Sequence, residues 1–445
     1  MTTPITTPLL TDLYELTMAQ AYLAQGMTGE AVFEFFVRKL PPRRNFFMAA
    51  GLEQVLTYLE TFHFAEHDLG WLEQTGSFTP STLAALRAIR FTGDVHAMPE
   101  GTVFFPHEPI LRITAPLPQA QLVETRVMNL LNFQTMVASK SCRSVLAAEG
   151  RPLIDFGLRR SHGAEAGLLA ARASYLAGFA GTSNVLAGAR FAIPTYGTMA
   201  HSFVQAHHDE AEAFLHIAQA QPRNVVLLID TYDTEAAAEK VVALAPRLKN
   251  QGISIHGVRL DSGDLADHAQ KVRQILDRGG LADTSILASG NLDEDRVEAL
   301  VKRGAPIDRF AVGTAMTTSA DAPYLDCAYK LQEYAGRPCR KRSEGKATWP
   351  GRKQVYRLSE CDGRLGGDTI TVEGDTQPGL PLLQQVMQSG RRLAPSPSIQ
   401  EIRDHAGLAL AELPDTLRRL DQAALYEVRI ADALEQLAQQ VDQHT

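Results

Sequence analysis

The chain has 445 residues, of which 45% are hydrophobic and 21% are charged, so it can bury a large core and is expected to hold two or three domains. Its 43 Lys and Arg residues against 51 Asp and Glu residues give a formal net charge of −8, which argues against nucleic acid as the main partner. The four cysteines, Cys142, Cys327, Cys339 and Cys361, form no CxxC pair, which disfavours a structural zinc site or a disulfide framework and favours a reducing compartment.

Residues 1–150 show a mixed pattern that predicts an α+β region. The opening stretch MTTPITTPLL has no basic segment ahead of a long apolar run, so we expect no export signal there. Thr11, Asp12 and Glu15 precede apolar residues at helical spacing and predict the start of a first helix. Strand-like runs follow at 30–38, 93–98, 101–105 and 110–115, and a long helical stretch covers about 119–148.

Residues 151–320 change to short β-rich runs separated by helical patterns, which is typical of parallel βα units. The most apolar run, VVLLI at 225–229, is too short to span a bilayer, so we expect a soluble, cytoplasmic protein. About seven units in roughly 165 residues favour a closed, irregular (β/α) barrel over an open doubly wound sheet, although periodicity alone does not separate the two. The β-rich runs are PLIDFG, TSNVLAG, IPTYG, NVVLLID, HGVRLD, SILASG and RFAVGT.

Residues 321–445 lack this rhythm. The segment 337–357 carries eight Lys and Arg residues, which either contact ATP phosphates or form a solvated face or a domain contact. A Pro/Ser break at 394–398 precedes a helical tail, for which the sequence indicates no role.

Polar residues and glycines cluster where the predicted strands end. In a parallel barrel these ends share one mouth, which is where barrel enzymes place their active sites. Each residue alone is also explained as a turn former or a helix cap, but the whole set indicates a site. The set comprises Asp155, Phe156, Gly157, Asp230, Arg259, Asp261, Ser262, Gly263, Ser289, Gly290, Asn291, Gly313 and Thr314.

The last two strand ends favour phosphate binding. Gly290 leads into Asn291-Leu-Asp-Glu294, whose capping-box spacing predicts a helix start with backbone N–H groups facing an anion. Gly313-Thr314 repeats this arrangement one unit later. Barrels often hold phosphate in the loops after their last two strands, so position and chemistry agree.

His201 lies in TYGTMAHSFVQ, directly before Ser202, which has capping-box spacing to Gln205. The imidazole is therefore expected at a positive helix end, which would stabilise an anionic group such as a phosphoryl group on the ring. The alternative is an ordinary core or surface histidine. The adjacent His207 and His208 would face different sides of a helix and are expected to be surface residues.

Arg259, Asp261 and Asp264 follow one predicted strand and are expected to form a cluster of opposite charges. Such a cluster binds phosphate or carboxylate groups and holds hydroxyls or the waters of a magnesium ion; a structural salt bridge is the alternative. Arg159 and Arg160 offer a second cationic arm beside the flat ring of Phe156, and this combination suits an aromatic ring that bears a carboxylate.

Six stretches of the sequence stand out together: TDLYELTMAQAY, DFGLRRSHG, AGTSNVLAG, YGTMAHSF, VRLDSGD and SEGKATWPGRKQVYR. In these stretches, their order and their spacing, the chain resembles the nicotinate phosphoribosyltransferase family over nearly its whole length. The resemblance implies an α/β fold of the type II phosphoribosyltransferase kind: an irregular barrel, an added α+β domain built from the N-terminal region and later segments, and a homodimer with shared active sites. The implied reaction joins nicotinate to 5-phosphoribosyl 1-diphosphate in NAD salvage, with Mg²⁺, and is coupled to hydrolysis of ATP through a phosphohistidine.

The resemblance also assigns residues. His201 matches the phosphorylated histidine. The resemblance also implies that the nicotinate ring contacts Phe156 of one subunit and Tyr14 of the partner subunit. The remaining matches are Arg259 and Asp261 to contacts with the ring and the ribose, Arg159 to a phosphate contact, and Ser289, Gly290, Gly313 and Thr314 to the 5′-phosphate loops.

Ser183 favours nicotinate as the substrate. Related nicotinamide phosphoribosyltransferases resemble AGTSNVLAG but carry an aspartate there, which would repel an acid, whereas serine donates a hydrogen bond to a carboxylate. A quinolinate enzyme would need more cationic side chains and is a smaller protein. A non-catalytic sensor of phosphoribosyl diphosphate and a phosphate-binding aldolase or isomerase are further alternatives, and the latter would require a lysine or a carboxylate base in the mouth.

Overall fold

The computed structural model describes residues 7–423 and 425–443. The chain forms two compact units: the first combines the part before residue 140 with the part after residue 323, and the second consists of residues 140–323. No helix in the described ranges combines the length and the apolar character that crossing a membrane requires.

The N-terminal part of the first unit alternates helices and strands, as predicted. Asp12 is the N-cap residue of the first helix, and the first strand is buried along all but its first residue. The last helix continues into the second unit. The elements are α1 (Leu13–Ala24), β1 (Glu30–Val37), β2 (Phe47–Met48), α2 (Leu52–Glu60), α3 (Glu66–Gln74), α4 (Pro80–Ala88), β3 (Asp94–Ala97), β4 (Val103–Phe104), β5 (Pro109–Pro116), α5 (Leu117–Leu122) and α6 (Glu124–Ala147).

The second unit alternates short buried strands with helices. A 3-10 helix, Leu158–Arg160, follows its first strand. The other elements are β6 (Leu153–Asp155), α7 (Ala164–Leu176), β7 (Gly181–Thr182), α8 (Val185–Phe191), α9 (His201–Gln205), α10 (Glu210–Ala220), β8 (Val225–Leu228), α11 (Thr234–Lys249), β9 (Ile255–Leu260), α12 (Leu265–Arg278), β10 (Ser285–Ala288), α13 (Glu294–Lys302), β11 (Arg309–Val312) and α14 (Thr314–Thr317).

The strands of the second unit form a curled parallel sheet with the order β7-β6-β11-β10-β9-β8. The first strand, β6, pairs with the last, β11, so these two strands are neighbours inside the sheet. Within the described residues, the predicted run IPTYG adds only a parallel bridge from Thr195 to Thr182, and no strand ladder joins it to β8. The predicted irregular α/β barrel type is confirmed, but the sheet is a half-barrel that is open at this point, not a closed barrel.

The C-terminal part of the chain returns to the first unit. β12 pairs with β1, and β17 pairs with β3, both antiparallel, which completes the sheet β13-β12-β1-β5-β3-β17-β18. A second sheet has the order β16-β14-β15-β19. The implied α+β domain made of early and late segments is thereby confirmed. Its later elements are β12 (Cys327–Tyr334), β13 (Arg337–Pro338), β14 (Lys353–Ser359), β15 (Leu365–Val372), β16 (Leu380–Pro381), β17 (Gln384–Gln388), β18 (Arg391–Arg392), α15 (Ile399–Ala411), β19 (Val428–Ile430) and α16 (Asp432–Gln443).

A buried carboxylate, Glu15, connects α1 to the first turn of α6. It accepts hydrogen bonds from the backbone N–H of Thr125 at 2.8 Å and from the Thr125 hydroxyl at 2.6 Å, and the Thr11 hydroxyl also donates to it. Burial raises the pKa of Glu15 to about 7, and the hydrogen bonds from Thr11 and Thr125 offset this rise only in part. Glu15 therefore changes charge near neutral pH.

We predict that Glu15→Gln makes folding less sensitive to pH. Because folding raises the pKa of Glu15, the stability that this group supports is greatest in acid and is lost as the pH rises through about 7. Glutamine resembles the neutral acid at every pH, so the variant does not lose this stability as the pH rises. The free energy of unfolding of the variant minus that of the wild type should therefore increase by about 2 kcal/mol from about pH 5 to pH 8. Urea unfolding at a series of pH values measures this difference. A difference that does not change with pH would contradict the prediction.

Candidate active site

A cavity of about 380 Å³ lies at the carboxyl ends of the curled parallel sheet. The ends of β6 and β9 and the segments after β7 and before α9 supply its walls. This is the side of a parallel barrel on which active sites form, because every strand there ends in a loop that carries side chains to a common place. The lining residues are Phe156, Leu158, Arg159, Ser183, Gly197, Thr198, Met199, Ala200, His201, Leu228, Arg259 and Asp261.

Arg259, at the end of β9, is fixed by hydrogen bonds from all three guanidinium nitrogens. Its Nε donates to the Ser289 hydroxyl at 2.8 Å, and its Nη2 donates to Asp261 Oδ1 at 2.7 Å. Its Nη1 donates to the Thr198 hydroxyl at 3.2 Å and to the carbonyl oxygen of Met199 at 3.3 Å. The guanidinium plane is therefore oriented by the protein itself.

Phe156 lies beside this guanidinium, whose carbon is 5.4 Å from the centre of the phenyl ring. This distance is within the range of a cation–π interaction. Arg159 and Ser183 line the same cavity, Arg159 from the exposed 3-10 helix. An aromatic face, a hydroxyl and two cations therefore meet at one place, as the sequence predicts for a ring that bears a carboxylate.

Asp261 is an ionised carboxylate next to Arg259. Burial alone would raise its pKa, but hydrogen bonds from Ser289 and Arg259, together with the positive charge of Arg259, lower the pKa below its ordinary value. Behind it, Asp230 accepts hydrogen bonds through Oδ2 from the Asp261 backbone N–H at 3.0 Å and from the Ser262 hydroxyl at 2.6 Å. Asp230 Oδ1 is buried and has no hydrogen-bond partner in the described ranges.

His201 is partly exposed to the cavity, with 39% of its side chain accessible. Its Nδ1 is 3.1 Å from the Thr231 hydroxyl oxygen, and its Nε2 is 3.9 Å from Asp261 Oδ2. The predicted capping box from Ser202 is wrong: Ala200 is the N-cap residue, and His201 itself begins the five-residue helix α9. Ser202 is already inside the helix, so its hydroxyl does not cap it.

The predicted capping box after β10 is also wrong. Asp293 is the N-cap residue of α13 and accepts a hydrogen bond from the Arg296 backbone N–H at 2.9 Å. Asn291 has a left-handed backbone, with φ of 52°, and so continues the turn that begins at Gly290. The helix therefore starts two residues later than predicted, and Glu294 has a different role.

Gly290 and Gly313 lie against the strand ends that carry the cavity residues. A Cβ atom on Gly290 would be 1.8 Å from the carbonyl oxygen of Asp261, and one on Gly313 would be 2.9 Å from that of Phe156. Close backbone approach therefore explains both glycines. Ser289 is buried under Arg259, and Thr314 is exposed at the start of α14. Phosphate binding by these loops stays a prediction.

Two other predicted residues are not among those that line the cavity. Asp264 caps α12 by accepting hydrogen bonds from two backbone N–H groups and pairs with Arg303 at 3.3 Å. Its predicted place in the cluster of Arg259 and Asp261 is therefore wrong. Tyr14 belongs to the first unit, where it lies on α1 with 44% of its surface exposed; its contribution to the partner's site stays a prediction.

Sequence reasoning did not single out Thr198 and Thr231, which orient Arg259 and His201. Thr198 lies within the motif YGTMAHSF, and Thr231 directly follows a predicted strand. These two positions are the features of the sequence that indicate a place near the site. Nowhere in the described ranges do three His, Cys, Asp or Glu side chains form a group suited to a metal ion.

Models of three domains match this chain in order. The N-terminal domain model of nicotinate phosphoribosyltransferase matches residues 9–132, the family model matches 152–337, and the C-terminal domain model matches 379–438. The chain belongs to the nicotinate phosphoribosyltransferase family. The resemblance seen in the sequence motifs is thereby confirmed.

Individual members of the nicotinate phosphoribosyltransferase family are similar to this chain over most of its length. Nicotinate phosphoribosyltransferase pncB2 of Mycobacterium tuberculosis is 50% identical over 428 residues, which cover 96% of this chain and 92% of that protein. The Bacillus subtilis nicotinate phosphoribosyltransferase is 40% identical over 373 residues, 82% of this chain and 76% of that protein. The crystal structure of human nicotinic acid phosphoribosyltransferase superimposes with a TM-score of 0.87 at 30% identity, covering 97% of this chain and 99% of that one.

We predict that Gly290→Ala destabilises the protein far more than Gly280→Ala. Both glycines have positive φ, but a Cβ on Gly280 meets no atom within 4 Å, whereas one on Gly290 collides with the Asp261 carbonyl. Gly280→Ala should cost about 1 kcal/mol of unfolding free energy from backbone strain, and Gly290→Ala about 3 kcal/mol or more. Urea unfolding of the two variants measures both losses. Equal losses would show that Gly290 is required only for its φ.

Proposed function

We propose that this chain joins nicotinate to 5-phosphoribosyl 1-diphosphate, giving nicotinate mononucleotide and diphosphate. The observation that carries the proposal is the cavity in which Arg259, stacked beside Phe156, is bound to an ionised Asp261. Membership of the nicotinate phosphoribosyltransferase family, and relatives bearing that name at 50% and 40% identity, support it.

The cavity suits a flat aromatic acid. The Phe156 ring offers an apolar face, and the Ser183 hydroxyl and the cations Arg159 and Arg259 offer donors to a carboxylate. A serine at position 183 carries no charge that would repel the acid, which favours nicotinate over nicotinamide as the substrate.

The transfer we propose is a dissociative displacement at the anomeric carbon of the ribose. The bond to diphosphate breaks, positive charge develops on the sugar, and the lone pair of the pyridine nitrogen forms the new bond, so no general base is needed. Asp261 carries its negative charge at neutral pH and is held in place by Arg259 and Ser289. It is therefore suited to accept hydrogen bonds from the ribose hydroxyls and to stabilise the positive charge that develops on the sugar. The backbone at Gly290 and Gly313 is proposed to receive the 5′-phosphate.

A magnesium ion fits this donor set in one way. Asp261 lines the cavity and Asp230 lies behind it, and the buried Asp230 Oδ1 has no hydrogen-bond partner in the part of the chain that the structure describes. Mg²⁺ keeps several waters and binds through one or two carboxylates plus substrate phosphates, so these two residues would hold its waters while the diphosphate supplies direct ligands. When bound, the ion neutralises charge on the leaving diphosphate.

We also propose that His201 accepts the γ-phosphoryl group of ATP, which makes the protein an ATP-dependent glycosyltransferase, or ligase. If Nδ1–H donates to Thr231, Nε2 keeps its lone pair on the side of Asp261. Nε2 then attacks the γ-phosphorus, the bond to ADP breaks, and water later hydrolyses the phosphohistidine. Coupling follows if the phosphorylated and unmodified forms bind substrates and products with different affinities.

We further propose that the protein is a homodimer whose subunits share active sites. The proposed reaction belongs to NAD salvage in the cytoplasm. Leu13 and Tyr14 are adjacent exposed apolar residues on α1, with 64% and 44% of their surfaces accessible. A surface of this kind fits contact with another chain. In the dimer the partner subunit's Tyr14 would cover the ring on Phe156.

The choice of substrate tests the main proposal. Nicotinate should be used at least about a hundredfold more efficiently than nicotinamide in kcat/KM, a factor that one charged hydrogen bond can supply. Ser183→Asp should depress nicotinate use through repulsion of the acid, whereas the control Ser183→Ala, which removes only the hydroxyl, should lose far less. Radiolabelled nicotinate and nicotinamide assayed side by side measure these ratios. Equal use of the two by the wild type would overturn the assignment.

Labelling with [γ-³²P]ATP tests the role of His201. The label should survive alkali, be lost in acid and be absent from His201→Ala, which should keep a slow, ATP-independent transfer because Arg259 and Asp261 remain. The matched control is His162→Ala, which removes an exposed histidine and should label normally. Stable label in His201→Ala would place the acceptor elsewhere, and loss of label in His162→Ala would point to that residue.

A further inference from the structure

A cluster of four charged side chains lies in the second unit, and three of them, Lys140, Arg143 and Glu294, are buried. Lys140 and Arg143 come from α6, Glu294 is the first residue of α13, and Asp321 follows α14. The Lys140 ammonium is 2.6 Å from Glu294 and 2.7 Å from Asp321, and Arg143 Nε donates to Glu294 at 2.8 Å. The side chains of Lys140 and Glu294 are only 4% and 3% exposed. The cluster therefore contains two positively charged and two negatively charged groups.

The two carboxylates follow the two loops that are proposed to bind the 5′-phosphate. Glu294 comes directly after the loop 289–293 that follows β10, and Asp321 comes after the short helix that begins beyond Gly313. Lys140 bonds both carboxylates through one ammonium group. One ammonium group therefore links the segments that follow these two loops.

Helix capping does not explain the cluster. Asp293 already caps α13, so Glu294 is not needed there. Left-handed residues other than glycine precede both carboxylates: Asn291 in the loop before Glu294, and Ser319 between α14 and Asp321, with φ of 52° and 44°. Such conformations persist where surrounding structure holds them. A buried ion pair is weak evidence for stability by itself, and fixing one arrangement of the chain is the role that it fits best here.

We propose that Lys140 is a positioning residue for phosphoribosyl transfer. By holding Glu294 and Asp321 together, it keeps the two loops at the spacing that the 5′-phosphate requires. The inference rests on the proposed function. It deepens that function by assigning affinity for the phosphate end of the substrate to a residue that does not line the cavity.

Asp321→Asn is the most selective variant, because it weakens one arm of the cluster at a side chain that is 32% exposed and leaves Glu294 paired with both cations. It should raise KM for phosphoribosyl diphosphate about three- to tenfold, the effect of one weakened charged hydrogen bond. The dissociation constant of ribose 5-phosphate should rise by the same factor. The values of kcat and of KM for nicotinate should stay within about twofold.

Three further variants separate positioning from general damage. Lys140→Arg keeps the charge and should retain most of the affinity, and Lys140→Met should lose more affinity than Asp321→Asn. The combined loss from Asp321→Asn and Lys140→Met should be smaller than the sum of the two separate losses, because both changes act on the same ion pair. The control is Lys302→Met, which breaks an exposed ion pair with Glu298 at 2.9 Å on the same helix and should change none of these constants.

The outcomes are distinguishable. A wild-type protein that forms no nicotinate mononucleotide would overturn the proposed function itself. An active wild type whose Asp321→Asn variant binds ribose 5-phosphate normally would overturn the positioning role alone. Equal losses for ribose 5-phosphate and nicotinate would also overturn it, because they would indicate general disruption. If Lys140→Met does not fold, Asp321→Asn and Lys140→Arg still decide the question.

Discussion

The pairing of the first parallel strand with the last is the constraint on which the candidate site depends. β6 and β11 are separated by more than 150 residues, yet the Phe156 backbone N–H donates to the Val312 carbonyl at 2.9 Å. This pairing brings Phe156 beside Gly313, and the next strands in the sheet, β10 and β9, add Ser289 and Arg259. The curled parallel sheet therefore gathers distant side chains at one place, because all its strands end on the same side.

Two carboxylates at these strand ends, Asp155 and Asp261, have pKa values that are shifted in opposite directions by their surroundings. Asp155 is buried and accepts hydrogen bonds from the Gly157 N–H and the Thr182 hydroxyl, both at 2.7 Å; burial nevertheless raises its pKa. Asp261 is partly exposed beside Arg259, and its pKa is lowered. Asp155 thus connects β6 to β7, whereas Asp261 presents a fixed negative charge to the cavity. A charge that is oriented before the substrate binds needs no reorganisation during the reaction.

The sequence predicted the features that depend on local pattern. The βα rhythm predicted the parallel strands, and their ends predicted that Phe156, Arg259 and Asp261 would meet. The capping boxes predicted from Ser202 and Asn291 were wrong because a capping-box spacing does not reveal whether the backbone has already entered the helix or is still turning. Thr198, Thr231 and the partners of Lys140 were missed because their contacts join residues 30 to more than 150 positions apart, which no local pattern encodes.

In the proposed function, one mouth of the curled sheet binds both ends of the product nucleotide. A crystal structure of this protein with nicotinate mononucleotide would show where each end lies. We expect the pyridine ring to pack on Phe156, the ribose hydroxyls to contact Asp261, and the phosphate to accept hydrogen bonds from the backbone at Gly290 or Gly313. A nucleotide bound with its phosphate away from both loops, or with its ring outside the cavity, would contradict the proposed function of this site.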